Sequence, residues 1–222
     1  MNAFQTLIVI VRADFLERFR RYSTLITLGI TIYATYLYLP PATGRKITFN
    51  MGGYRGIYNS AWVGATVAVM TIIILSLPGF YLIKNAIQRD RETGVGQILA
   101  TTPLTRLQYT LGKALSNLLF LAAMAGITLV AAAALQLLRA ESVVIRPLDY
   151  ISPYLIATLP WMMLVAGLAV LFEATHWLRG GLGNVIFFFL YLAGLTAMGL
   201  LLVGQMHWRH MGFCCRHGNA SH

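Results

Sequence analysis

Cut at every Asp, Glu, Lys and Arg, this chain of 222 residues falls into five long uncharged runs, 22–44, 56–83, 114–138, 150–172 and 180–208. They hold 23, 28, 25, 23 and 29 residues, and about 20 suffice for an α-helix to cross the hydrocarbon core of a bilayer. Lipid offers a backbone amide no hydrogen-bond partner, so each run is predicted to satisfy its own backbone as a helix. Charged residues make up only 11% of the chain, against about 25% in soluble domains. The expected fold class is an all-α integral membrane protein, a polytopic helical bundle. Its five transmembrane helices are placed near 23–41, 58–83, 114–138, 151–172 and 183–205 in a membrane domain over residues 1–205, with an irregular tail at 206–222.

Ahead of the first run lies a helix of another kind. Phe4, Ile8, Val11, Phe15, Phe19 and Tyr22 recur at three- and four-residue spacing, the period of one helical face. Asp14, Glu17, Arg20 and Arg21 are expected to point away from it, with Arg12 and Arg18 flanking the stripe. Such an amphipathic helix is predicted to lie in the headgroup plane, the alternative being a cytosolic helix packed on the bundle. Basic residues then set the orientation. With the N-terminus cytoplasmic, ten of the 17 Lys and Arg fall inside and seven outside, the direction of the positive-inside rule. Tyr33, Tyr36 and Tyr38 face Tyr54, Tyr58 and Trp62 near the outer surface, as an aromatic belt would. Pro78 and Pro160 are expected to kink or shorten their helices, and Pro153 to open the fourth span from its first turn.

Several functions drop out at this level. The net charge of +10 sits at the ends of apolar runs, where it marks orientation and meets lipid headgroups, so membrane lipid rather than nucleic acid is the expected partner. No run contains Asp, Glu, Lys or Arg, so ion coupling through mid-membrane charges is not expected. Glu173 and His176 border the fourth run and read as an interfacial helix end. Nothing pairs a nucleophile with a base, and no catalytic residue or cofactor-binding motif is assigned. The tail gathers His207, His210, Cys214, Cys215, His217 and His222, ligands that suit zinc or copper. Their spacing closes no finger, so no metal site is assigned.

The segment with the most information is the polar elbow 84–113, K-N-A-I-Q-R-D-R-E-T-G-V-G-Q-I-L-A-T-T-P-L-T-R-L-Q-Y-T-L-G-K. It is too charged to enter lipid and too patterned for a plain connector. Arg89, Asp90, Arg91 and Glu92 supply both signs of charge, Gly94 and Gly96 permit a sharp turn, and Pro103 ends a short element before Arg106. Gly94-Val95-Gly96 is not a phosphate loop, since no lysine follows at the required place and no strand precedes it. The pattern suits a docking surface pushed by a soluble partner.

At these residues the chain resembles the permease subunits of type-2 ATP-binding-cassette transporters, the exporter-like family. D-R-E-T-G at Asp90–Gly94, Q-I-L-A-T-T-P-L-T-R at Gln97–Arg106 and L-G-K at Leu111–Lys113 carry the likeness, and the amphipathic helix before the first span agrees with it. The resemblance implies an inner (plasma) membrane permease that pairs with a second permease subunit and with two cytoplasmic ATPase subunits. It implies that Arg89, Asp90, Arg91, Glu92, Thr93, Gly94, Gln97, Pro103, Arg106 and Lys113 form the ATPase-coupling elbow, and that the chain itself is no enzyme. The family has six spans per permease where five are counted here, so a truncated or frameshifted chain is the expectation, the alternative being a last run that folds back on itself. The other reading of the same residues is an ATPase-independent membrane protein, a secondary carrier or an assembly scaffold.

Overall fold

The computed structural model describes residues 3–39, 50–51, 54–55, 59–84, 105–139, 146–197 and 200. Six helices account for nearly all of these: α1 (Ala3–Phe19), α2 (Tyr22–Tyr38), α3 (Ser60–Ile83), α4 (Arg106–Arg139), α5 (Pro147–Ala174) and α6 (Gly181–Ala197). The one departure from all-α structure among the described residues is a short antiparallel ladder, β1 (Asn50–Met51) against β2 (Tyr54–Arg55), between α2 and α3.

Among the described residues, three helices are long and apolar enough to cross a membrane: Ser60–Ile83, Leu107–Leu138 and Pro147–Ala174. The other two expected spans are represented by α2 and by α6, each of 17 residues. At 1.5 Å per residue these reach about 25 Å, the short end of what a bilayer core requires. At 34 residues, α4 is about 51 Å long, so part of it must project beyond a core of about 30 Å.

Local chemistry explains where the helices start and how they survive their prolines. Asn59 caps α3, its side-chain oxygen accepting from the Trp62 amide at 2.9 Å. Pro78 does not end α3, which continues to Ile83. The fourth span opens earlier than the sequence suggested: Pro147, not Pro153, occupies the first turn, preceded by extended Arg146. Proline in a first turn gives up only an amide that has no helical partner, a condition that Pro147 meets. Pro153 instead lies inside, followed by a π-helical turn at Tyr154–Thr158 in which the Leu159 amide donates to the Tyr154 carbonyl. That wider turn accommodates Pro160, whose missing amide and bulky ring would break a regular i→i−4 ladder. The helix therefore runs through both prolines to Ala174.

Connectivity sends α3, α4 and α5 back and forth, and these three form the centre of the bundle. Val63, Val67, Leu75, Phe80, Phe120, Met124, Met162 and Val165 are buried between them. Phe80 stacks on Phe187 of α6 and meets Phe172 edge-on, ring centroids 5.6 Å apart. Outside, the surface is apolar: Leu25, Ile26 and Ile30 of α2, Val130 of α4, Ile156 and Met163 of α5 and Phe189 of α6 are all exposed. Inside, the hydroxyls of Thr71, Thr128 and Tyr154 and the Gln136 amide are buried and hydrogen-bonded between helices. Apolar out and polar in is the arrangement that lipid selects, where polar side chains tie helices together.

Candidate functional site at the basic end of the bundle

At one end of the bundle Phe80 and Lys84 at the end of α3 meet Phe172 of α5 and Phe187 and Asn184 of α6, while Asp14 and Phe19 of α1 meet Lys113 and Phe120 of α4. This is the end from which the elbow departs and to which it returns. Four of its charged residues are shielded from solvent rather than projecting outward as span-flanking residues are expected to. Arg18, Lys84, Lys113 and Glu173 are at most 5% exposed, each taken between helices.

Two contacts join α1 to α4. Lys113 Nζ donates to Asp14 Oδ2 at 2.7 Å, and the Arg18 guanidinium donates to Asn117 Oδ1 while lying 3.9 Å from the same Asp14 carboxylate. Phe19 adds an edge-on contact with Phe120, centroids 6.2 Å apart. Asp14 and Arg18 therefore face the bundle, correcting the expectation that Asp14 points away and Arg18 snorkels beside the apolar stripe. The physical reason is distance in sequence: their partners sit 99 residues on, beyond the reach of any helical period. The apolar stripe itself persists in Val11, Phe15 and Phe19, so α1 presents one mixed face to α4.

A third contact joins the end of α3 to the start of α6. Lys84 Nζ donates to Asn184 Oδ1 at 2.6 Å and to the Gly180 carbonyl at 3.0 Å. A Cβ on Gly183 would lie 1.9 Å from the Leu178 carbonyl oxygen and 3.0 Å from Lys84 Nζ, so this tight turn requires glycine. Burial lowers the Lys84 pKa from its ordinary value, and the Glu173 carboxylate opposes that shift. Glu173 is thus an interior group near Lys84 rather than the interfacial helix end that its position at the border of a run suggested, while His176 is exposed. Arg179 Nε donates to the Glu173 carbonyl at 3.1 Å, pinning the α5–α6 turn.

Of the elbow residues, Arg89, Asp90, Arg91, Glu92, Thr93, Gly94, Gln97 and Pro103 lie outside the described residues, as does the tail from 201 onward. Arg106 begins α4, and Lys113, two turns further on, is the one whose contacts are visible. The boundaries of the elbow are informative: its first residue, Lys84, is bound to α6 and its last, Lys113, is bound to α1.

Deeper in the bundle the polar groups are neutral and come in layers. Thr71 of α3, Thr128 of α4 and Tyr154 in the π-turn of α5 form a triangle of hydroxyls, with edges of 3.0, 3.3 and 3.3 Å. Trp161 Nε1 donates to Ser76 Oγ at 2.7 Å. At the far end Tyr150 donates to Gln136, whose Nε2 donates to Ser60 Oγ at 3.3 Å. None of these layers contains a group ionised at neutral pH. Sequence reading missed them because isolated Thr, Ser and Tyr in an apolar run carry no spacing signal. Among the described residues no cluster of three or more His, Cys, Asp or Glu is placed to hold a metal.

A helical bundle with lipid-compatible walls and three helices long and apolar enough to cross a bilayer defines a class: a helical membrane protein. No protein-family model, curated protein or solved structure matches the chain.

Proposed function

We propose that the chain is the membrane-spanning permease subunit of an ATP-driven exporter of the type-2 ATP-binding-cassette class, with α2 to α6 as its five transmembrane helices. On this reading it lies in the inner (plasma) membrane with its N-terminus and the elbow in the cytoplasm. A second permease subunit completes the pathway, and separate ATPase subunits supply the energy. The D-R-E-T-G segment and its closing T-P-L-T-R and L-G-K provide the contact, with Glu92 and Asp90 offering anionic groups and Arg89, Arg91 and Arg106 bidentate ones.

The observation that most supports this is how the elbow is moored. A push on 84–113 bears on Lys84, and through it on the first turn of α6. The same push bears on Lys113, and through it on α1. A segment anchored to two separate helices at its ends transmits motion, whereas a loop tethered only by its backbone absorbs it. A carrier driven by ions would instead need ionisable groups in the middle layer, and that layer holds the Thr71–Thr128–Tyr154 hydroxyls.

The test is reconstitution in vesicles with a candidate ATP-binding-cassette ATPase subunit, comparing wild type with Glu92→Arg and Arg106→Glu. Both variants are expected to retain helicity and basal ATPase activity while losing substrate-stimulated hydrolysis. Stimulation that survives in both variants overturns the assignment.

A further inference from the structure

Beside the Asp14–Lys113 junction, α1 and α4 part to leave a cavity of about 680 Å³. Its walls are Ile8, Val11 and Phe15 on α1 and Leu115, Leu119 and Ala122–Ala123 on α4, with a single charged residue, Arg12, among them. That volume lies within the range of about 300–1,000 Å³ typical of sites that bury a small organic ligand. Its apolar walls are left partly uncovered, with Ile8, Leu115 and Leu119 each more than 40% exposed. Arg12 is itself exposed, and no ion pair holds it among the described residues. The neighbouring cations are committed elsewhere, Lys113 and Arg18 to Asp14 and Arg21 to Glu17 at 2.8 Å.

We infer that this groove is a binding site for one anionic phospholipid, an acyl chain lying between α1 and α4 and the phosphate on the Arg12 guanidinium. An apolar groove with one fork-shaped cation beside it matches an amphiphile whose charge is a phosphate, since guanidinium binds phosphate oxygens in bidentate fashion. A neutral hydrocarbon would leave Arg12 unanswered, and a soluble anion would leave the slot unfilled. The bound lipid would brace α1 against α4 beside Lys113, the end of the elbow, and it does so whether or not an ATPase is the partner.

The test is native mass spectrometry of the full chain released from nanodiscs made of equal parts phosphatidylglycerol and phosphatidylcholine. Wild type is expected to retain one lipid with a preference for the anionic headgroup of roughly fivefold, the effect of one arginine near an anionic surface. Arg12→Gln should keep a lipid but lose the preference. Ala123→Phe, which fills the slot, should lose the lipid, and Arg20→Gln, an exposed arginine on the same segment outside the groove, should change nothing. Circular dichroism confirms that each variant keeps its helices. Equal retention of both headgroups by wild type overturns the site. An Arg20→Gln effect as large as that of Arg12→Gln overturns it in favour of diffuse surface charge. A dimer that Ala123→Phe abolishes while lipid retention stays unchanged overturns it in favour of a second copy in the groove.

Discussion

At the basic end of the bundle, Asp14, Arg18 and Lys113 meet in a buried cluster and Lys84 reaches across to α6. At the opposite end Ser60, Gln136 and Tyr150, three neutral side chains, do the equivalent joining of α3, α4 and α5 among the described residues. Both ends are closed by side chains that reach between helices, but the failure modes differ. A neutral hydrogen bond lost inside a membrane protein leaves a modest deficit, because alternative partners exist in the membrane-embedded unfolded state as well. An ion pair that loses one member leaves an unanswered charge in a low-dielectric setting, which is far more costly. The bundle is therefore rigidly specified at the end where the elbow attaches and more forgiving at the other. That asymmetry suits a molecule worked from one side.

The sharpest way to break this comparison is Asp14→Asn. It removes the carboxylate that Lys113 and Arg18 share in the buried cluster and should destabilise the fold by about 3–5 kcal/mol. Unfolding in mixed micelles or a thermal melt in nanodiscs measures the loss. The double variant Asp14→Asn/Lys113→Met, which removes both members of the closest pair, should recover much of it. A single substitution no costlier than the loss of a neutral hydrogen bond would show that the two ends are held alike.

A second substitution probes the neutral end through packing rather than polarity. A Cβ on Gly64 would fall 2.9 Å from the Asp149 carbonyl oxygen and 3.1 Å from Tyr150 Cα, so α3 and α5 touch there backbone to backbone. Gly64→Ala must push the helices apart and is expected to cost about 1–3 kcal/mol, the usual penalty of overpacking. Gly79→Ala serves as the control. Its Cβ would meet Leu121 Cδ2 at 2.8 Å, the movable end of a side chain, so the cost should be distinctly smaller. Equal losses would mean that the close approach at Gly64 does not organise the neutral end.

How much of this was legible in the sequence follows from the range of each interaction. Helices α3, α4 and α5 were readable because a long uncharged run is a local property, as was the helix that precedes the first span. The burial of Asp14, Arg18, Lys84, Lys113 and Glu173 was not. A charge at the end of an apolar run reads as a headgroup anchor unless its partner is known, and here the partners lie 99 or 100 residues away. Pro153 misled for the opposite reason: a first-turn proline is a local rule that Pro147 satisfies equally, and only the π-turn at Tyr154–Thr158 shows how the helix passes the second one.

The smallest expected effect is also the one that separates polarity from packing at the neutral end. Tyr150→Phe keeps the ring, 3% exposed in the core, and removes only the hydroxyl that donates to Gln136. Interhelical hydrogen bonds of this kind contribute about 0.6 kcal/mol on average and up to about 1.7, so the melting midpoint should fall only slightly. Because Ser60 still accepts from Gln136 Nε2 and from the Arg146 amide at 3.1 Å, the amide side chain stays in place and the helices keep their register. A loss approaching that of Asp14→Asn would mean that the hydroxyl organises a network as demanding as an ion pair. The neutral end would then be as unforgiving as the basic one, and the proposed division between a rigid working face and a tolerant far side would fail.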